Sequence, residues 1–205
     1  MQQPLAAAGR VRPIAAAAGE QDREQAEDGE MEGPGHGGAA NMIGALKHGL
    51  PPVVRADARL LVLGSLPGEA SLQAGRYYAH PRNQFWRLME GVAGEPLEGL
   101  NYGERLERLV ERRIALWDVI HAARRSGSLD GAMREIEARD LTGFVAGLPE
   151  LRAVAFNGGT AARLGRKALA GSSLALIDLP SSSPAYTLPF AEKARRWNAL
   201  AGFLD

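Results

Sequence analysis

The sequence predicts an α/β fold, a central four-stranded and mostly parallel sheet covered by helices on both faces. Three observations carry this. Four short apolar runs are spaced along the chain, stretches with helical apolar spacing separate them, and 205 residues at 45% hydrophobic and 23% charged suit one well-buried core. Strands that alternate with helices need crossover connections, which make neighbouring strands parallel.

In chain order, Arg59–Leu63 reads as the first buried strand, followed by helical spacing over Gln84–Val92 and Tyr102–Arg112. Ile114–Val119 is the second strand, and Leu129–Ala138 and Leu141–Ala146 are expected to be helices. Ala153–Phe156 is the third strand, Thr160–Leu169 the next helix, Leu174–Leu179 the fourth strand, and Glu192–Phe203 a closing helix. Residues 1–41 are rich in Ala, Gly, Gln, Glu and Asp and almost free of large apolar side chains. They are expected to be a disordered extension ahead of a single domain over 42–205, with Met31 or Met42 as alternative starts.

The formal charge is zero, with 24 basic and 24 acidic residues, but three basic and seven acidic residues lie before position 42. That leaves 21 basic against 17 acidic over 42–205, a net charge of +4 that is compatible with binding phosphates. The absence of cysteine excludes disulfides, zinc thiolates and iron–sulfur clusters. No apolar run approaches the roughly 20 residues that span a bilayer, so a cytoplasmic protein with no membrane partner is expected.

Parallel sheets bind ligands beyond the carboxyl ends of their strands. That directs attention to Gly64-Ser65-Leu66-Pro67-Gly68, Asp118 onward, Asn157-Gly158-Gly159 and Pro180-Ser181-Ser182-Ser183-Pro184. Tyr77-Tyr78-Ala79-His80-Pro81-Arg82-Asn83-Gln84-Phe85-Trp86 adds aromatics and polar groups just before a helix. Packing accounts for Phe85 and Trp86 but not for the polar group at 80–84.

Gly-Ser-Leu-Pro-Gly-Glu at 64–69, the Tyr-Tyr-Ala-His-Pro-Arg-Asn-Gln-Phe-Trp segment and Leu-Pro-Ser-Ser-Ser-Pro-Ala at 179–185 together resemble the uracil-DNA glycosylase superfamily, most of all its hypoxanthine-DNA glycosylase branch. The resemblance covers about Arg59 to Phe203. It implies a three-layer α/β/α fold and a cofactor-free, metal-free monomer that hydrolyses the glycosidic bond of a deaminated base flipped out of DNA. Mismatch-specific members carry a water-positioning Asn where this chain has Leu66, and classical uracil enzymes carry a His where it has Leu179. In the hypoxanthine branch the essential Asn corresponds to Asn83.

The resemblance therefore implies Asn83 as the catalytic residue, its amide oxygen orienting the attacking water. Ser65, Leu66, Tyr78, Phe85, Asp118 and Asn157 are the base-binding candidates, and Gly68, Arg82, Ser181, Ser182, Ser183 and Pro184 the DNA-binding ones. Tyr78 is either a stacking face for the base or a core aromatic. Asp118 either accepts the N1–H of hypoxanthine, which adenine lacks, or caps a helix or pairs with an arginine. Asn157 either bonds the base or serves a left-handed turn. Ser183, Pro184 and Tyr186 are candidates for a wedge into the duplex, and Arg163, Arg166 and Lys167 for phosphate contacts. The alternatives are a G:U/G:T mismatch-type enzyme and a non-catalytic nucleic-acid-binding module.

Overall fold

The computed structural model describes residues 44–205, so the expectation for residues 1–41 lies outside the described residues. The chain runs through β1 (Leu46–His48), β2 (Leu60–Gly64), α1 (Glu69–Ala74), α2 (Phe85–Ala93), α3 (Tyr102–Glu111), β3 (Ile114–Asp118) and β4 (Ile120–Arg124). After a 3-10 turn at Asp130–Ala132 come β5 (Arg134–Ala138), α4 (Leu141–Ala146), β6 (Ala153–Asn157), α5 (Gly159–Ala168), β7 (Ala175–Leu179) and α6 (Phe190–Asn198).

The main sheet has the order β3-β2-β6-β7 and is parallel throughout. Its central strand β2 is a continuous buried run because both faces are covered. Leu61 and Leu63 point into one apolar cluster that includes Leu141 of α4 and Ala161 of α5. Leu60 and Val62 point into the other, with Phe85 of α2, Leu109 of α3 and Trp197 of α6. The alternation of side chains along one strand thus builds the three layers. Close helix packing depends on small residues such as Gly165, where a side chain would collide with the Phe156 ring.

Two expectations need correction. The stretch Leu129–Ala138 is not a helix: after the 3-10 turn it pairs antiparallel with β4, forming a second sheet of order β1-β4-β5. Its residues favour a helix, but pairing with an available edge overrides that weak preference. The irregular register and the positive φ of 49° at Glu135 mark a strained fit. The second strand also stops at Asp118 rather than continuing through Val119. Val119 and Ile120 donate their backbone N–H groups to the carbonyls of Gly64 and Ser65, at 2.9 and 3.1 Å, and so hold the loop after β2.

Among the described residues no helix is long and apolar enough to cross a membrane, and no cluster of His, Asp and Glu is arranged to hold a metal.

Candidate active site

The register of the parallel sheet aligns Gly64 with Asp118 and Asn157 with Leu179, so the strand ends form one row. A cleft of about 660 Å³ opens there, lined by the loop after β2, by Tyr78, His80 and Asn83, by residues 128–130 and by the loop 181–186. Of the sequence-predicted site residues, Phe85, Arg82 and the candidate phosphate contacts Arg163, Arg166 and Lys167 do not line it, and the others do.

Asp118 is 3% exposed and lines the cleft, and its Oδ2 has no hydrogen-bond partner. Gly64 creates this placement, since a β-carbon there would sit 2.7 Å from Asp118 Oδ1 and 3.3 Å from the Tyr78 hydroxyl. Burial pushes the Asp118 carboxyl up to about 7, although the Tyr77 hydroxyl and the charges of Arg139 and Arg125 pull the other way. Neither structural alternative holds. The segment that follows is β4 rather than a helix, and among the described residues no ion pair reaches Asp118.

Tyr78 lies flat on Phe85, with ring centroids 3.6 Å apart and planes 11° from parallel. Phe85 is fully buried, which corrects its assignment as a base contact: it stands behind Tyr78 and fixes the plane of that ring. The phenol of Tyr78 is harder to ionise than usual, chiefly through burial and secondarily through Asp118, while the adjacent Asn157 amide opposes this.

Asn83 is half-buried, and its amide oxygen accepts the Phe85 N–H at 3.0 Å, which organises the first turn of α2. A carbonyl oxygen has two lone pairs, so one remains for a water molecule in the cleft. His80 Nδ1 accepts the Arg82 N–H at 3.1 Å, which tightens the turn before Asn83, and the Arg82 side chain is exposed beside the cleft.

Asn157 and Ser182 bond reciprocally: Asn157 Nδ2 donates to Ser182 Oγ at 2.9 Å, and Ser182 N–H donates to Asn157 Oδ1 at 2.8 Å. Ser182 is 1% exposed, so it secures the loop instead of reaching phosphates, a second correction. Ser181 and Ser183 are half-buried and accept local N–H groups through their hydroxyls, whereas Pro184 and Tyr186 are exposed. Arg166 bonds Asp178 at 2.8 Å through Nε and the Leu176 carbonyl through Nη2, so it clasps the edge strand.

Arg125, Ser128, Asp130, Lys193 and Trp197 position these loops without having been singled out by the sequence. Arg125, 1% exposed, donates to the carbonyls of Leu66 and Pro67. Ser65 donates to Asp130 at 2.8 Å, and Ser128 Oγ accepts the Glu69 N–H at 2.9 Å. Gly68 begins α1 and packs against Ser128. On the opposite wall, the Trp197 indole donates to the Pro180 carbonyl at 3.0 Å, and buried Lys193 donates to the Tyr186 carbonyl at 2.7 Å.

Comparison with known proteins agrees with this fold. The family model "Uracil DNA glycosylase superfamily" matches residues 51–201. A protein of Methanosarcina acetivorans named "Hypoxanthine DNA glycosylase" is 36% identical over 155 residues, covering 76% of this chain and 98% of that one. A protein of the same name from Methanosarcina barkeri is 42% identical over 112 residues, covering 55% of this chain and 71% of its own. A solution NMR structure from M. acetivorans, described as a uracil DNA glycosylase, superposes with a TM-score of 0.71 at 36% identity, covering 78% of this chain and 99% of that one. With the strand-end cleft, the parallel sheet and a match over most of its length, the chain belongs to the uracil DNA glycosylase superfamily.

Proposed function

We propose that this protein is a monofunctional DNA glycosylase that removes a deaminated base, hypoxanthine above all, from a nucleotide flipped out of DNA. The observation that carries it is the buried carboxylate of Asp118 lining the cleft, whose Oδ2 has no hydrogen-bond partner. Deamination of adenine turns ring N1 from an acceptor into an N–H donor, and deamination of cytosine does the same at N3. An ionised carboxylate therefore accepts from the deaminated base and repels the normal one. Two relatives that bear the name hypoxanthine DNA glycosylase favour the purine. The N3–H of uracil satisfies the same carboxylate, so a pyrimidine-directed activity is the second reading.

In this mechanism the flipped base lies on the Tyr78 ring, held in plane by Phe85, and stacking contributes about 1–3 kcal/mol. Water held by the free lone pair of Asn83 attacks C1′ as the C1′–N9 bond lengthens through an oxocarbenium-like transition state. The new C1′–O bond leaves an abasic site, the departing base keeps the bonding electron pair, and the proton lost by water balances its charge. Asn83 is too weak a base to deprotonate water outright; it contributes orientation and a negative partial charge near C1′.

The test is base release from otherwise identical oligonucleotides carrying deoxyinosine or deoxyuridine, by wild type and Asn83→Ala, with melting curves to check that α2 is intact. Release of hypoxanthine that falls by about 10²–10³ in the variant is expected, as for loss of one transition-state hydrogen bond. Release of uracil alone overturns the purine preference, wild-type rates in Asn83→Ala overturn the role of Asn83, and release of neither base leaves a non-catalytic binding module.

A further inference from the structure

Among the described residues four large apolar side chains are conspicuously exposed: Leu46, Leu129, Ile136 and Tyr186. Leu46 and Ile136 sit on the small antiparallel sheet, away from the cleft. Tyr186 lies on the loop after β7 and belongs to the wall where a wedge was anticipated. Leu129 lies on the other wall, in the loop between β4 and β5, and at 64% exposure it is the most exposed of the four.

The backbone around Leu129 is not a slack loop. Ser128, just before it, accepts the Glu69 N–H, and Asp130, just after it, accepts the Ser65 hydroxyl. Arg125, three residues before Ser128, is buried and bonded to the carbonyls of Leu66 and Pro67. The 3-10 turn that follows closes with the Ala132 N–H on the Leu129 carbonyl at 3.1 Å. Both neighbours of Leu129 are thus tied to the loop after β2, while its own side chain belongs to neither apolar cluster of the core. The Leu129 side chain stands at the cleft mouth, largely in water and outside both core clusters.

A nucleotide that enters this cleft must leave a gap in the base stack beside the mouth, and unstacking opposes the opening. We propose that Leu129 is a duplex-opening residue: it enters the base stack next to the flipped nucleotide, from the wall opposite Tyr186. This rests on the glycosylase reading above but does not depend on which base is released. Bases bury an apolar side chain that water otherwise surrounds, and proteins that insert Leu between base steps gain contact in this way.

The experiment uses the full chain as wild type, Leu129→Ala and Leu129→Met. Single-turnover base release is measured on a lesion-bearing duplex and on the same strand alone, with 2-aminopurine beside the lesion reporting unstacking by fluorescence. Leu129→Ala is expected to lower the ratio of duplex to single-strand rates by about tenfold or more, the scale set by burial of one Leu side chain, and to blunt the fluorescence rise. Leu129→Met, which keeps the apolar reach, restores most of both. An equal loss on duplex and single strand means that Leu129 only shapes the cleft and overturns the proposal, as do wild-type ratios and fluorescence in Leu129→Ala. If wild type unstacks the duplex but releases no base, the glycosylase reading fails while the fluorescence of the variants still decides the role of Leu129.

Discussion

The two walls of the cleft are held by different kinds of interaction. The wall formed by residues 64–69 and 125–130 is held by charge: the Arg125 guanidinium on two carbonyls, the Asp130 carboxylate on Ser65, and the Lys47–Glu69 ion pair at its edge. The wall formed by residues 180–186 is held mainly by neutral groups, the reciprocal amide and hydroxyl of Asn157 and Ser182 and the indole of Trp197, with one ammonium at Lys193. A buried charge that loses its partners is far more damaging than a neutral pair that loses one, because desolvation is then uncompensated. The charged wall is the one that cannot be trimmed. The neutral wall tolerates substitution at lower cost, and it carries the exposed Pro184 and Tyr186.

The sharpest way to break this contrast is Arg125→Met. It preserves length but strands the Leu66 and Pro67 carbonyls and removes the positive charge that acts on Asp130 and one of the two that act on Asp118. A loss of about 3 kcal/mol in chemical denaturation is expected, with only partial recovery in Arg125→Lys because one ammonium does not reproduce the fork. A loss below about 1 kcal/mol would show that charge does not hold this wall.

Asp118→Asn tests the floor between the walls through pH. The folded carboxyl titrates near 7, well above its ordinary value near 3.8, so between those values the native state keeps a proton that the unfolded chain has released. Stability contributed by the buried acid is thus full below about pH 4 and is lost as pH rises through 7. The substitution should raise stability at pH 8 relative to pH 5 by roughly 2–3 kcal/mol compared with wild type, read from unfolding midpoints at the two values. Base release by wild type should run the other way, rising as Asp118 ionises through about 7, and the variant should lose that limb of the profile.

On the neutral wall, Asn157→Ala removes two hydrogen bonds and leaves a buried Ser182 hydroxyl and N–H unsatisfied. The expected loss is about 2 kcal/mol, and Asn157→Ala combined with Ser182→Ala should cost less than the sum of the two single changes. Strict additivity in that double-mutant cycle would deny that the pair acts as a unit.

The main sheet was legible because each of its strands is a short, bounded apolar run that emerges between helices, and a fully buried parallel strand can have no other pattern. The row of strand-end loops followed from topology and brought Asp118 and Asn157 with it, whereas Asn83 and Tyr78 were picked out by the resemblance to the family. Residues 134–138 were not legible, because Glu135, Ile136, Glu137 and Ala138 suit a helix and only the edge of β4 makes them a strand. Burial of single side chains within a loop was hidden too. Nothing local distinguishes Ser182, which is fully enclosed, from Ser181 and Ser183, nor Arg125 from Arg124 beside it. Those distinctions come from the partners that the fold brings from 25 or 59 positions away.

Tyr78 has a φ of 54°, in the left-handed region that aromatic residues seldom occupy, and this sets a limit on engineering the molecule. Backbone preference at that position favours Gly or Asn, and either would relieve about 1–2 kcal/mol of strain. Each would also remove the ring that lies on Phe85 and faces the cleft. Loss of that packing costs about 3–5 kcal/mol, more than the strain it relieves, so the stacked ring itself holds the backbone at 78 in this region, and trimming Phe85 would release both the strain and the aromatic face.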